Sequence, residues 1–248
     1  MNRPRRRKIL RNRKLLARMN SVNRGCGMDR KYVMKAEKET SLSAFVDNYG
    51  ITAYDKKLMD FFAAEDMEIL PGQEIVLFGY IGMAGTVYLA EERREELERV
   101  LPRHFVQSGL ALKDKICILP EPEIAVKHGV KAMYQIGEGG LLNGLCRLAA
   151  DSPTGFRVDY EEVAVRQVTI ECCEVFHLNP WQLMSGGCVM MITERGYETV
   201  RAFETPELPC RIIGYISPDQ DKVICHDEVR SYLNRPEPDE LLKVIDGR

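Results

Sequence analysis

No stretch of the 248 residues reaches the roughly 18 consecutive apolar positions that a membrane-spanning helix needs, so no span is expected. The basic N-terminus lacks the apolar segment of a secretory signal, which argues against export. The eight cysteines, at 26, 117, 146, 172, 173, 188, 210 and 225, never fall in a CxxC pair. That spacing disfavours a zinc ribbon or a redox motif, and most of them sit in apolar runs, so reduced core thiols in a cytoplasmic protein are expected. Histidine is scarce as well: His104, His128, His177 and His226 form no HxH or HxxxH pair, and no metal site is expected. Acid is absent from residues 1–24, which hold ten of the 35 Lys and Arg, leaving an acidic body that repels nucleic acid behind a cationic arm. The arm reads as a solvated extension, with a polyanion contact or an organelle transit peptide as the alternatives.

What is present is a hydrophobic fraction of 45%, enough for a substantial core, patterned as alternating strands and helices. Residues 25–70 are mixed, with a helix over Tyr54–Ala64. From Pro71 the pattern becomes regular. A strand over Glu74–Tyr80 leads through Gly79, Gly82 and Gly85 into a helix over Thr86–Leu101, with Thr86 as N-cap and Pro102 as the stop. A helical stretch over 104–130 is broken by Pro120 and Pro122, and a short strand at Lys131–Ile136 follows. Further strands are expected at Gly155–Asp159, Cys188–Thr193, Arg211–Ile216 and Lys222–His226, and helices at Arg166–His177 and Arg195–Phe203. His177 is placed to close its helix, and only one of the vicinal Cys172 and Cys173 is expected to face the core. PEPDELLKVI reads as a tail.

The most informative segment is Gln135-Ile136-Gly137-Glu138-Gly139-Gly140-Leu141-Leu142, a glycine turn opening an amphipathic helix. Such a turn lets backbone N–H groups approach an anion at a positive helix end. Yet the loop has no Lys, Ser or Thr to hold a phosphate or a metal. Gly82, Gly85, Glu138, Gly139, Gly140, Ser185 and Gly186 are the candidate ligand-binding residues, and no residue is assigned a catalytic role.

GQEIVLFGYIGMAGTVYLAEE, AMYQIGEGGLLNGL, the LNP turn and SGGCVMMI occur in that order. Their succession resembles the C-terminal domain of the aminoimidazole ribonucleotide (AIR) synthetase superfamily, and HDEVRSYLNRPEPDELLKVI resembles its hydrogenase maturation factor-related subgroup. The resemblance implies an α+β fold with a mixed sheet flanked by helices. It divides the chain into a basic arm at 1–24, a partly helical linker at 25–70 in place of the family's N-terminal ATP-binding domain, the matching domain at 71–235 and a tail at 236–248. It also implies ATP and magnesium, although their main ligands are not found. Active members commonly carry His or Asp, and a Thr, where Gln135 and Gly137 stand here. The hydrogenase maturation factors end in a cysteine, whereas this chain ends Val244-Ile245-Asp246-Gly247-Arg248. The expected function is therefore a phosphate- or nucleotide-type binding scaffold, or half of a split enzyme, inactive alone. The alternatives are an ATP-dependent maturation or synthetase-type enzyme completed by a partner chain, and a nucleic-acid-associated protein acting through the arm. A homodimer is a further expected partner state.

Overall fold

The computed structural model describes residues 42–63 and 68–246. The expectations placed on residues 1–24, and on 25–41 of the linker, lie outside the described residues. Residues 42–48 are helical and lead into α1 (Ile51–Phe62). Then follow β1 (Glu74–Phe78), α2 (Met83–Glu92), α3 (Arg94–Glu98), α4 (Arg103–Leu110), α5 (Lys113–Ile116), α6 (Pro122–Lys127), β2 (Val130–Ile136) and α7 (Gly140–Asp151). The rest is β3 (Gly155–Asp159), α8 (Gln167–Phe176), β4 (Cys188–Thr193), α9 (Gly196–Phe203), β5 (Cys210–Ser217), β6 (Lys222–His226), β7 (Val229–Tyr232) and α10 (Leu241–Asp246).

The seven strands form one mixed sheet in the order β2-β4-β1-β5-β3-β6-β7. All neighbours are antiparallel except the parallel pair β3 and β6. The α+β architecture expected from the sequence is therefore the one observed. The continuous apolar run Cys188–Thr193 is explained by its place between β2 and β1. Its successive side chains enter opposite cores, Val189 and Met191 on one face, Cys188, Met190 and Ile192 on the other. Leu141, Leu145 and Leu148 of α7 fill the second core, and α1, α2, α4 and α8 contribute to the first.

Several local expectations are corrected. Thr86 is not an N-cap: α2 begins at Met83, with Gly82 at its N-cap in the left-handed region at φ 71°, a conformation glycine adopts without strain. The Thr86 hydroxyl instead donates back to the Gly82 carbonyl at 2.8 Å, an i−4 bond inside the first turn, and lies 2.8 Å from the Thr169 hydroxyl. The expected single helix to Leu101 breaks at Arg93, whose guanidinium donates to the Val244 carbonyl at 2.8 Å. Cys172 and Cys173 are both buried, in one and the same core, with Asp239 and Glu240 of the C-terminal segment close to Cys173. The strand β7 was not foreseen. His177 closes α8 in the left-handed conformation at φ 55°, as its position suggested.

The α1 helix is docked through Ile51, Tyr54 and Leu58, with the Tyr54 hydroxyl donating to the Pro120 carbonyl. Leu58→Ala is expected to cost about 2–5 kcal/mol of stability, as large-to-small changes in a closed core do. Met59→Ala, on the 62% exposed neighbour, should stay within about 0.5 kcal/mol. Chemical denaturation of the two variants checks whether α1 is an integral part of the domain.

Candidate functional site

β1 and β2 run in the same direction on either side of β4, which runs against both. The turns leaving β1 and β2 therefore meet the turn entering β4 at one end of the sheet. Hydrogen bonds between these turns fix the convergence. Gly82 N–H donates to Ser185 Oγ at 2.7 Å, Gly85 N–H to the Met184 carbonyl at 2.8 Å, and Ser185 N–H to the Gly137 carbonyl at 3.1 Å. Leu142 N–H donates to the Trp181 carbonyl at 3.2 Å. A Cβ at Gly140 would overlap that same carbonyl, so its glycine is required by a close backbone approach as well as by its φ of 62°.

The seven candidate residues are thus brought to one place, but the groups of all except Glu138 face the chain itself. Ser185 is fully buried, accepting from Gly82 and donating to the Leu183 carbonyl at 2.8 Å. Gly85 and Gly186 are small because Leu183 and Ile51 occupy the space a side chain would take. Gly140 N–H points to the Gly137 carbonyl at 3.2 Å. Glu138 is exposed.

The donor that sequence reasoning offered to a phosphate is already bound. Gly139 N–H donates to Asp239 Oδ2 at 2.7 Å, and Asp239 Oδ1 accepts from Leu241 N–H at 2.9 Å. The Met184 N–H also donates to this carboxylate. Asp239, 1% exposed, therefore occupies the N-terminus of α7 and that of α10 at once. Burial pushes its carboxyl up to about 6, against the lowering effect of the N–H bonds. Neighbouring contacts hold the segment down: Glu240 accepts from Asn179 N–H at 3.1 Å, Glu237 from Gln182 Nε2 at 2.8 Å, and Leu241 and Ile245 enter the core.

Beside the loop lies a cleft of about 260 Å³ between α1, α7 and the end of β2. Gln135, 1% exposed, is among its lining residues, and its Oε1 and Nε2, sealed from solvent, are the buried side-chain atoms without a hydrogen-bond partner among the described residues. Arg147 donates to the Gln135 carbonyl at 3.1 Å and to Asp55 Oδ1 at 2.9 Å. In sequence Gln135 stands out only as a departure from a pattern; that it borders a cleft depends on α1, which no local signal places there.

Elsewhere, ligating atoms of Glu161, His226 and Asp227 lie within 4.8 Å of one another on the exposed surface, a grouping that pairwise histidine spacing could not reveal. The cysteines among the described residues are free thiols. Burial pushes Cys172, Cys173 and Cys210 up to about 12 and raises Cys188 as well, so none of these four is a nucleophile near neutral pH. No helix among the described residues is long and apolar enough to cross a membrane.

The profile of the family described as AIR synthase related protein, C-terminal domain, matches residues 71–226. Phosphoribosylformylglycinamidine synthase subunit PurL of Methanocaldococcus jannaschii is 28% identical over 159 residues, which are 60% of this chain and 20% of that protein. The crystal structure of E. coli HypE, a hydrogenase maturation protein, aligns with a TM-score of 0.53 and 17% identity over 70% of this chain and 52% of that one. A chain of the crystal structure of a HypE-HypF complex aligns at 0.52 and 18%, covering 68% of this chain and 55% of that one. These structures establish the shared fold. The chain spans about a fifth of the PurL relative and about half of the HypE chains.

The buried carboxylate has a pH signature. Its folded-state value of about 6 lies above the ordinary 3.8, so between these values the folded protein binds the proton more tightly than the unfolded chain. Stability contributed by this group is present in full at low pH and is lost as pH rises through about 4 to 6. Relative to Asp239→Asn, which cannot titrate, the wild type should lose up to about 3 kcal/mol between pH 4 and 7. Urea unfolding of both proteins across that range measures the difference.

Proposed function

Because the chain belongs to the AIR synthase related family through its C-terminal domain, we propose that it is a binding domain that turns over no ATP by itself. Its ligand sits in the cleft beside the glycine loop, not on the loop's N–H groups. The observation that carries this reading is Asp239 on Gly139 N–H: the place for a phosphate is taken by the chain's own carboxylate. The fit of ATP and magnesium to these residues is poor. The loop offers no hydroxyl or lysine, its Gly139, Gly140 and Leu142 N–H groups are bonded within the chain, and the carboxylates of Asp55 and Glu138 flank the cleft. Phosphoryl transfer needs a bound metal and an oriented nucleotide, and the glycine loop itself presents no side chains that supply them.

A second reading adds a partner chain. It is supported by the bare face of β3, β5 and β6, where an open cleft of about 620 Å³ is bordered by Arg157, Tyr215 and Arg230, and by the exposed Tyr232 on the sheet edge. That HypE is found in a complex with HypF is in keeping with a family member that works in an assembly. Tyr215→Glu would block docking there and leave the glycine loop untouched.

Inorganic phosphate and ATP with magnesium should leave the melting temperature of the wild type unchanged, and no ATP hydrolysis above the buffer rate should be measured. Asp239→Ala should melt lower, since three N–H groups lose an acceptor. Phosphate should then restore it: at a hundred times the dissociation constant, native-state binding adds about 2.7 kcal/mol, a rise of roughly 5–10 °C. Stabilisation of the wild type by phosphate at equal strength would contradict the occupied-loop reading.

A further inference from the structure

The two edges of the sheet are finished differently. At one end of the strand order α1 and α6 lie against β2, whereas at the other end β7 is exposed along its whole length, Val229 by 63% and Tyr232 by 68%. Open edges are commonly protected by a bulge, a proline or a covering element. Here β7 pairs with β6 without a register shift, and Val229-Arg230-Ser231-Tyr232 contains no proline.

The direction of the free backbone groups follows from one bond. Leu233 N–H donates to the Lys222 carbonyl at 2.8 Å, next to the Val223 and Tyr232 pair. Because these groups alternate in an antiparallel ladder, Val229 and Ser231 turn theirs toward β6, and Arg230 and Tyr232 turn theirs to the open side. Two N–H and two C=O groups therefore face outward with a strand's spacing.

Resting on the reading in which this chain works with a partner, we propose that the partner strand is β7 of a second copy, paired antiparallel about a two-fold axis at Ser231. The outward alternation allows few registers, and the side chains choose among them. With Arg230 opposite Tyr232 of the second copy, the two residues exchange N–H···O bonds on each side of the axis, and the guanidinium meets a ring. The same register sets Val229 opposite the partly buried Leu233, and brings Asp227 of the β6–β7 turn beside the exposed Arg235. Sliding one step one way faces Arg230 with Arg230, a like-charge pair. Sliding one step the other way sets Val229 against Arg235 and Glu228 against Pro236, which has no N–H to give. Arg230 and Tyr232 lie on the side of the sheet that carries Arg157 and Tyr215, so the two open clefts become one continuous surface across the joint. Two four-residue strands bury less than the roughly 1,200 Å² of a stable interface, and a dimer of micromolar strength is expected.

Sedimentation velocity of the full chain, from low micromolar to several hundred micromolar, tests this. Wild type should pass from monomer to dimer. Arg230→Pro removes one outward N–H and no bond to β6, so it should weaken the dimer at least tenfold. Arg235→Glu, at an exposed position, should do the same by facing Asp227 with a like charge, and Asp227→Lys combined with Arg235→Glu should restore the association. Tyr215→Glu, on the face and not the edge, should leave the dimer unchanged. Wild type that stays monomeric at every concentration would overturn the proposal, as would a dimer that survives Arg230→Pro or Arg235→Glu, or a charge exchange that restores nothing. A dimer abolished by Tyr215→Glu alone would seat the second copy on the bare face, refuting the edge while keeping the partner-chain reading. A monomeric wild type refutes the second copy as partner and leaves a different chain on that face to be tested separately by Tyr215→Glu.

Discussion

One carboxylate joins the two halves of the candidate site. Asp239 accepts N–H groups from the glycine loop, from the turn before β4 and from the start of α10. Hydrogen bonds to a charged group contribute about 1.5–3 kcal/mol each, enough to hold a short C-terminal helix in place. The same bonds decide the chemistry of the loop. A helix N-terminus with free N–H groups is an anion site, and one with a buried carboxylate on it has already used that capacity.

With the anion slot closed, what remains open is the flank of the loop. There the packing of α1 against β2 beside Gly137 leaves a cleft bordered by Gln135, Asp55 and Arg147. The glycines at 82, 85, 140 and 186 serve the close approach of three turns, and the site they frame is their indirect consequence. A binding role without independent phosphoryl transfer follows from which donors are left over, and family membership supplies the frame within which that role is proposed.

The sequence was legible where structure depends on neighbours along the chain. The apolar run at 188–193, the α7 stripe of Leu141, Leu145 and Leu148, and the left-handed residue His177 all carry local signals, and each lies where those signals indicate. The ordered series of glycine turns also carried the fold, because strand-to-helix turns must be built from particular residues. What stayed hidden depends on distant partners. Asp239 lies 100 residues from Gly139 and reads in sequence as one acid in a polar tail. Thr86 has the composition of a cap, yet its hydroxyl is drawn inward by Thr169, 83 residues away. Only one of Cys172 and Cys173 is expected to face the core because helical spacing shows a single buried stripe and cannot show the C-terminal segment that lies beside Cys173.

The central claim is that Asp239 occupies the glycine loop, and the Gly139 amide reports on it directly. Two-dimensional NMR of the labelled protein across pH 4 to 8 follows that single resonance. The account predicts a downfield, slowly exchanging Gly139 amide whose position titrates with a midpoint near 6, and whose titration disappears in Asp239→Asn. A Gly139 amide that exchanges rapidly with solvent and ignores pH in this range, or that shifts on adding phosphate to the wild type, would contradict it.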